Sequence, residues 1–149
     1  MRSLLAGAAF AALLAFATPA AHAATAAAAT ASPQIYWSLA VEVTDGKMDD
    51  FKALIARIVA ATKADEPGAM EYEYNVAPDN KTVIIIERYA DTGATVTHLN
   101  NFGKSFAKDF MALVKPATFL VYGPVDETVK KMIAGFNPVY MTAFDGFVR

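Results

Sequence analysis

Thr82-Val83-Ile84-Ile85-Ile86-Glu87-Arg88-Tyr89 is the stretch on which the reading of the fold turns. Val83 and Ile85 occupy one set of alternate positions and Ile84 and Ile86 the other, so both faces are apolar and β-branched. A strand of that composition suits the centre of a sheet covered on both sides. Immediately before it, Pro78-Asp79-Asn80-Lys81 is a turn of the hairpin kind. The turn is preceded by an alternating run, with Met70, Tyr72, Tyr74 and Val76 opposite Glu71, Glu73 and Asn75. That period of two predicts a second, half-buried strand.

Further toward the N-terminus, Glu66-Pro67-Gly68 stops and turns the chain. Across residues 47–63, Met48, Phe51, Ile55, Ile58 and Thr62 recur at intervals of three and four, reinforced by Leu54 and Val59. This is the pattern of an amphipathic helix, and Thr44-Asp45-Gly46 offers it a cap. Residues 35–43 alternate again, with Trp37, Leu39, Val41 and Val43 on one face. Toward the C-terminus, Asp91 can cap a second helical stretch carrying Leu99, Phe102, Phe106, Phe110 and Leu113. Gly103 is expected to kink or divide it and Pro116 to end it, with a fourth strand over residues 118–122. The order β-α-β-β-α-β predicts an α+β, ferredoxin-like domain over residues 35–124. Such a sheet has helices on one face only. The doubly apolar third strand therefore predicts that the same sheet of a second copy covers the other face, in a two-fold dimer.

The two ends are of different character. Residues 1–23 hold one positive charge, Arg2, then an apolar run about fourteen residues long, then Pro19 and an Ala21-His22-Ala23 ending. This predicts a secretory signal peptide, the run being shorter than the roughly twenty residues a membrane span needs. Export to the periplasm or outside the cell follows, with no membrane attachment after cleavage. Residues 24–34, rich in Ala and Thr, are expected to be a disordered tether. At the other end, residues 125–149 are predicted to hold an extra short helix with Val129, Met132 and Ile133 apolar. An apolar tail with Val139, Tyr140, Met141, Phe144 and Phe147 follows. That tail is expected to pack on its own domain or on a partner subunit.

Without residues 1–23 the chain keeps twelve basic and fifteen acidic residues and has no basic cluster, which argues against a nucleic-acid partner. It has no cysteine, and cleavage leaves His98 as its single histidine, too few for the usual transition-metal sites. No glycine-rich nucleotide fingerprint and no G-x-S-x-G context occur.

Three segments resemble the antibiotic biosynthesis monooxygenase family of dimeric α/β barrels. Glu66-Pro67-Gly68-Ala69-Met70-Glu71-Tyr72-Glu73 is similar to the family's signature between the first helix and the second strand. Ile86-Glu87-Arg88-Tyr89-Ala90-Asp91 resembles its Tyr-Glu-Arg-Trp-Ala-Asp, with Tyr89 where Trp is commoner. In the second helix, His98-Leu99 falls where the family often has His-Leu. The resemblance implies insertion of oxygen from dioxygen into a quinol- or polyphenol-like small aromatic molecule, without metal, flavin or other cofactor. An electron-rich, deprotonated substrate can itself pass an electron to dioxygen, leaving the protein to orient it, exclude water and remove a proton.

His98 and Tyr72 are the candidate catalytic residues on that reading, with Trp37, Tyr74, Arg88, Tyr89, Phe102 and Phe106 as candidate substrate contacts. Each has a plainer alternative. His98 can be a structural hydrogen-bonding residue, and the aromatic strand residues can be core. Glu73 and Glu87 with Arg88 can form the polar side of a cavity, and read most simply as an ion-pair network along the strands. A binding module that holds an apolar ligand without turning it over has the same sequence features, and so has a purely structural dimer.

Overall fold

Alternation places Ile35, Trp37, Leu39, Val41 and Val43 on the buried face of the first strand, β1 (Ile35–Val43). The structure, a computed structural model, describes residues 32–146. The expected signal peptide, residues 24–31 of the expected tether and Phe147 lie outside those residues. After β1 come α1 (Met48–Asp65), β2 (Ala69–Val76), β3 (Thr82–Tyr89), α2 (Thr92–Ser105), α3 (Ala107–Leu113) and β4 (Val114–Tyr122). A short α4 (Glu127–Ile133), a 3-10 turn (Ala134–Phe136) and a two-residue β5 (Val139–Tyr140) complete the order. The sheet runs β2-β3-β1-β4-β5, antiparallel except for the parallel β4–β5 pair. This is the ferredoxin-like α+β arrangement expected, with β3 and β1 at its centre and the extra C-terminal helix in place.

The four helices among the described residues send apolar side chains to one face of the sheet. Phe51, Leu54, Ile55 and Ile58 of α1, Phe110 of α3 and Val129 and Ile133 of α4 join the inward positions of β1, β3 and β4 in one core. The other face carries half-buried Ile84, Ile86 and Leu120. It also carries a stack of Tyr36 on Tyr122, with centroids 4.8 Å apart and planes within 2°.

Local chemistry explains the boundaries, including those that differ from expectation. Asp91 caps α2 by accepting a hydrogen bond from the Ala94 N–H at 2.9 Å. Asp79 holds the β2–β3 turn by accepting from the Lys81 and Thr82 amides. The cap expected for α1 does not form: Lys47 takes the N-cap position with no side-chain capping bond, and Asp45 pairs with Lys81 at 3.1 Å instead. The second helical stretch divides at Phe106, whose φ of −132° breaks the helix, rather than at Gly103, which stays within α2. Pro116 does not end a helix. It lies inside β4 opposite Val41, at the register shift beside Ala40, and an irregularity of this kind is where a sheet tolerates a residue with no amide proton.

Gly68 brings the end of α1 against the start of α2. A Cβ at this position would come within 2.5 Å of the Ala94 Cβ, and the Gly68 carbonyl accepts a hydrogen bond from the Ala90 amide at 3.0 Å. Gly68→Ala is expected to push α2 outward and to cost about 1–3 kcal/mol of stability, the usual cost of overpacking. Thermal melting checks this; an unchanged midpoint would mean that α2 adjusts freely.

Candidate functional site

Glu87 is the anomaly of the core. On β3 the inward positions are Val83, Ile85, Glu87 and Tyr89, so strand alternation carries a carboxylate into an apolar layer. It is 6 % exposed. Its neighbours supply the compensation a buried charge requires. The Tyr89 hydroxyl donates a hydrogen bond to Glu87 Oε2, and His98 Nε2 lies 3.4 Å from the same oxygen. The other imidazole nitrogen, Nδ1, is 2.8 Å from Glu66 Oε2. Glu66 Oε1 in turn accepts from Asn101 Nδ2 at 3.1 Å. His98 is thus held between two carboxylates, one from β3 and one from the end of α1, and is itself 3 % exposed. Among the described residues no buried side-chain nitrogen or oxygen lacks a partner.

Ala94 and His98 are four residues apart on α2 and so share one face of the helix. The close approach at Gly68 therefore also brings His98 within reach of Glu66.

The charges are shifted accordingly. Burial alone would lower the His98 pKa, but the hydrogen bond to Glu66 and the charges of Glu87 and Glu66 outweigh it, and the net displacement is upward. Burial likewise opposes ionisation of Glu66, yet the bond and charge of His98, with Asn101, hold its pKa below the ordinary value. For Glu87 burial wins. Its pKa is raised despite the His98 charge and hydrogen bonding from Tyr89 and Trp37. The cluster thus favours the ionised form of Glu66 and the protonated form of His98, while burial favours the neutral form of Glu87. Tyr72 and Tyr89 are driven far upward, chiefly by burial and then by the Glu87 charge, so their hydroxyls stay protonated.

Glu87 and His98 line a cavity of about 50 Å³ between the sheet and the helices. Of the residues expected from the sequence, Trp37, Tyr72, Tyr74, His98 and Phe102 meet there. The Tyr74 hydroxyl donates to that of Tyr72 at 2.8 Å, which leaves the Tyr72 proton free to donate. The Tyr72 and Phe102 rings lie 5.2 and 6.0 Å from the imidazole. Three expected contacts are placed elsewhere. Tyr89 is wholly buried and spends its hydroxyl on Glu87. Phe106 sits at the α2–α3 break, packed on the core but outside the cavity lining. Arg88 points to the opposite face of the sheet, because a strand reverses direction at each residue. There it binds Glu71 at 3.0 Å and lies 4.7 Å over the Tyr36 ring. The expected pairing of Arg88 with Glu73 and Glu87 is therefore replaced by one with Glu71.

Sequence reasoning passed over Glu66 as a site residue, and for Glu87 it preferred an ion-pair network along the strands to the polar side of a cavity, where the structure places it. A signal for Glu87 was present: an acid two residues from Ile85 and two from Tyr89 must share their face. None was present for Glu66, whose partner is thirty-two residues away. Glu66 also borders a second, outer cleft of about 410 Å³ with Thr62, Lys63 and Met70. Among the described residues no group of three or more His, Asp or Glu side chains is arranged to hold a metal ion, and no helix is long and apolar enough to cross a membrane.

Fold and site together define a ferredoxin-like α+β domain with an apolar cavity ending in a buried acid–base cluster. The domain belongs to the antibiotic biosynthesis monooxygenase family, whose model matches residues 36–109. Solved structures share the fold. MupZ from Pseudomonas fluorescens is 21 % identical with a TM-score of 0.68, over 78 % of this chain and 94 % of that one. SnoaB from Streptomyces nogalater, described as a cofactor-independent oxygenase, is 20 % identical with a TM-score of 0.53, over 63 % and 95 %. A conserved protein from Methanosarcina mazei is 15 % identical with a TM-score of 0.56, over 63 % and 95 %. No curated protein sequence matches.

Glu66→Gln keeps the shape of the clamp and removes its charge, so the His98 pKa is expected to fall, as read by NMR titration of the imidazole. An unchanged pKa would mean that Glu66 does not set the charge of His98. The stability consequence has a definite sign. The raised His98 contributes stability that is fully present below its ordinary 6.5 and lost as pH rises through the raised value. The lowered Glu66 contributes above its ordinary 4.5 and loses that contribution as pH falls. The melting temperature of the wild type is therefore expected to exceed that of Glu66→Gln most between those two values.

Proposed function

We propose that this protein is a cofactor-independent monooxygenase that oxidises a quinol- or polyphenol-like small aromatic molecule with dioxygen. The observation that carries the reading is the pairing of Glu87 and His98 at the polar end of an otherwise apolar cavity. A phenolic hydroxyl placed there would meet Tyr72 as hydrogen-bond donor and Glu87 as base, with His98 offsetting the charge that Glu87 gains in its ionised form. Loss of the phenolic proton makes the ring electron-rich enough to give an electron to dioxygen. One oxygen atom is then retained in a quinone product, and the other leaves as water with the two hydrogens the substrate has lost. Family membership and the shared fold of an oxygenase described as cofactor-independent support the same reading.

The test is dioxygen uptake by the purified chain with a panel of hydroquinones and polyphenols, each compound's spontaneous oxidation being subtracted. Saturable uptake is expected, and Glu87→Gln is expected to lower kcat about 10²–10⁴-fold, the usual contribution of a positioned base. Uptake equal to the blank throughout would favour a module that binds an aromatic ligand without oxidising it.

Two further parts of the reading concern assembly and location. The outer sheet face, with Ile84, Ile86 and Leu120 half-buried in a single chain, suits burial against a second copy. Ile86→Lys would place a charge in that contact and is expected to turn a dimer into a monomer in sedimentation. A wild type that sediments as a monomer would remove the dimer from the proposal. The N-terminal pattern of Arg2, apolar run and Ala21-His22-Ala23 supports export to the periplasm or outside the cell.

A further inference from the structure

The cavity has a direction, which follows from sheet register. Tyr74 lies opposite Ile85, Ile85 opposite Leu39, and Leu39 opposite Phe119, so one row of lining residues crosses from β2 through β3 and β1 to β4. A parallel row runs from Tyr72 through Glu87 and Trp37 to Val121. Every hydroxyl and carboxylate in these rows lies on β2 or β3, while the β4 end is apolar. What closes that end is not sheet. Ile133 of α4 and Phe136 of the following turn complete the lining, and the Phe136 ring packs edge-on against Phe119 with centroids 6.0 Å apart. Both residues lie beyond the segment 36–109 that the family model matches.

This end wall is anchored on both sides. Where the extension begins, Gly123 adopts φ +94°, and a Cβ there would come 2.2 Å from the Gln34 carbonyl oxygen, so only glycine fits the turn. Asp126 then caps α4 by accepting from the Val129 amide at 2.9 Å. Past Phe136, Asn137 turns the chain in the left-handed region. β5 then adds to the sheet edge, with the Met141 amide donating to the Val121 carbonyl at 2.8 Å. Phe136 thus sits in a short arch tied at each foot, and Ile133 beneath it is 1 % exposed.

We infer that the C-terminal extension sets the size of ligand this cavity accepts, with Phe136 as the stop that limits it to a single aromatic ring bearing its hydroxyl at the Glu87 end. Free space of about 50 Å³ holds a few waters at roughly 10–15 Å³ each. One ring can therefore enter only as half-buried lining side chains shift. A second fused ring would have to occupy the place of Phe136, which the tied arch prevents. The assignment of the hydroxyl to the polar end rests on the proposed function. The size limit rests on the wall alone.

Binding separates the two without need of turnover. Phenol and 1-naphthol are titrated calorimetrically into the full chain, its Phe136→Ala variant and the milder Phe136→Leu, each checked for a cooperative melt. The wild type is expected to bind phenol at least ten-fold more tightly than 1-naphthol. Phe136→Ala is expected to abolish or reverse that preference, with Phe136→Leu between them. Uptake of 1-naphthol by the Ala variant alone would equally support the wall. Equal binding of both probes by the wild type would overturn the inference. So would a preference unchanged in folded variants, or no binding by any of the three proteins. If the preference shifts as expected while dioxygen uptake stays at the blank, the oxygenase reading fails and the size limit stands.

Discussion

One imidazole between two carboxylates is the interaction on which the interior of this domain depends. Placing a carboxylate at an inward position of a central strand is expensive unless something nearby takes up its charge. Glu87 meets that requirement through Tyr89 and His98. His98 in turn is favoured in its protonated form, against the effect of burial, by its bond to Glu66 and the two carboxylate charges. Remove any member and the others are left as uncompensated polar groups in an apolar layer. The helix positions follow from this need: α2 must lie close enough to the end of α1 for the clamp to close, which is why the chain turns through a glycine facing Ala94.

The same arrangement divides the lining by chemistry. Acid, base and hydroxyls converge over β2 and β3, and hydrocarbon fills the rest. A ligand is thus oriented by one end, and the remainder of its surface is read by shape alone. Because the tyrosine hydroxyls are held protonated, the proposed function leaves the acid–base work to the carboxylate and imidazole.

Much of this was legible in the residue pattern. The long periods of two and of three to four in β1, α1, β2 and β3 are dictated by which side must meet the core, and the structure follows them. The same alternation placed Trp37, Tyr72 and Tyr74 on the inward face and helical spacing gave Phe102, while His98 stood out as the single histidine left after cleavage and through the family resemblance. Where the pattern was read as proximity in sequence, it misled. Arg88 and Tyr89 are neighbours in the chain, yet one faces the outer side of the sheet and the other is sealed in the core. Pro116 read as a helix stop because proline commonly is one; a register shift in β4 accommodates it instead. The clamp itself had no local signature. Glu66 and His98 are joined by tertiary packing, and a contact spanning thirty-two residues leaves no periodic mark.

Glu66 borders the outer cleft as well as holding His98. One carboxylate therefore touches two compartments, a solvent-side groove and, through the imidazole, a greasy interior. That line runs through side chains, from Glu66 to Nδ1 of His98 at 2.8 Å and from Nε2 to Glu87 at 3.4 Å. The charge of a residue on the rim of the groove is thereby felt one imidazole away in the inner chamber, as a keystone loaded from outside presses on the stones within.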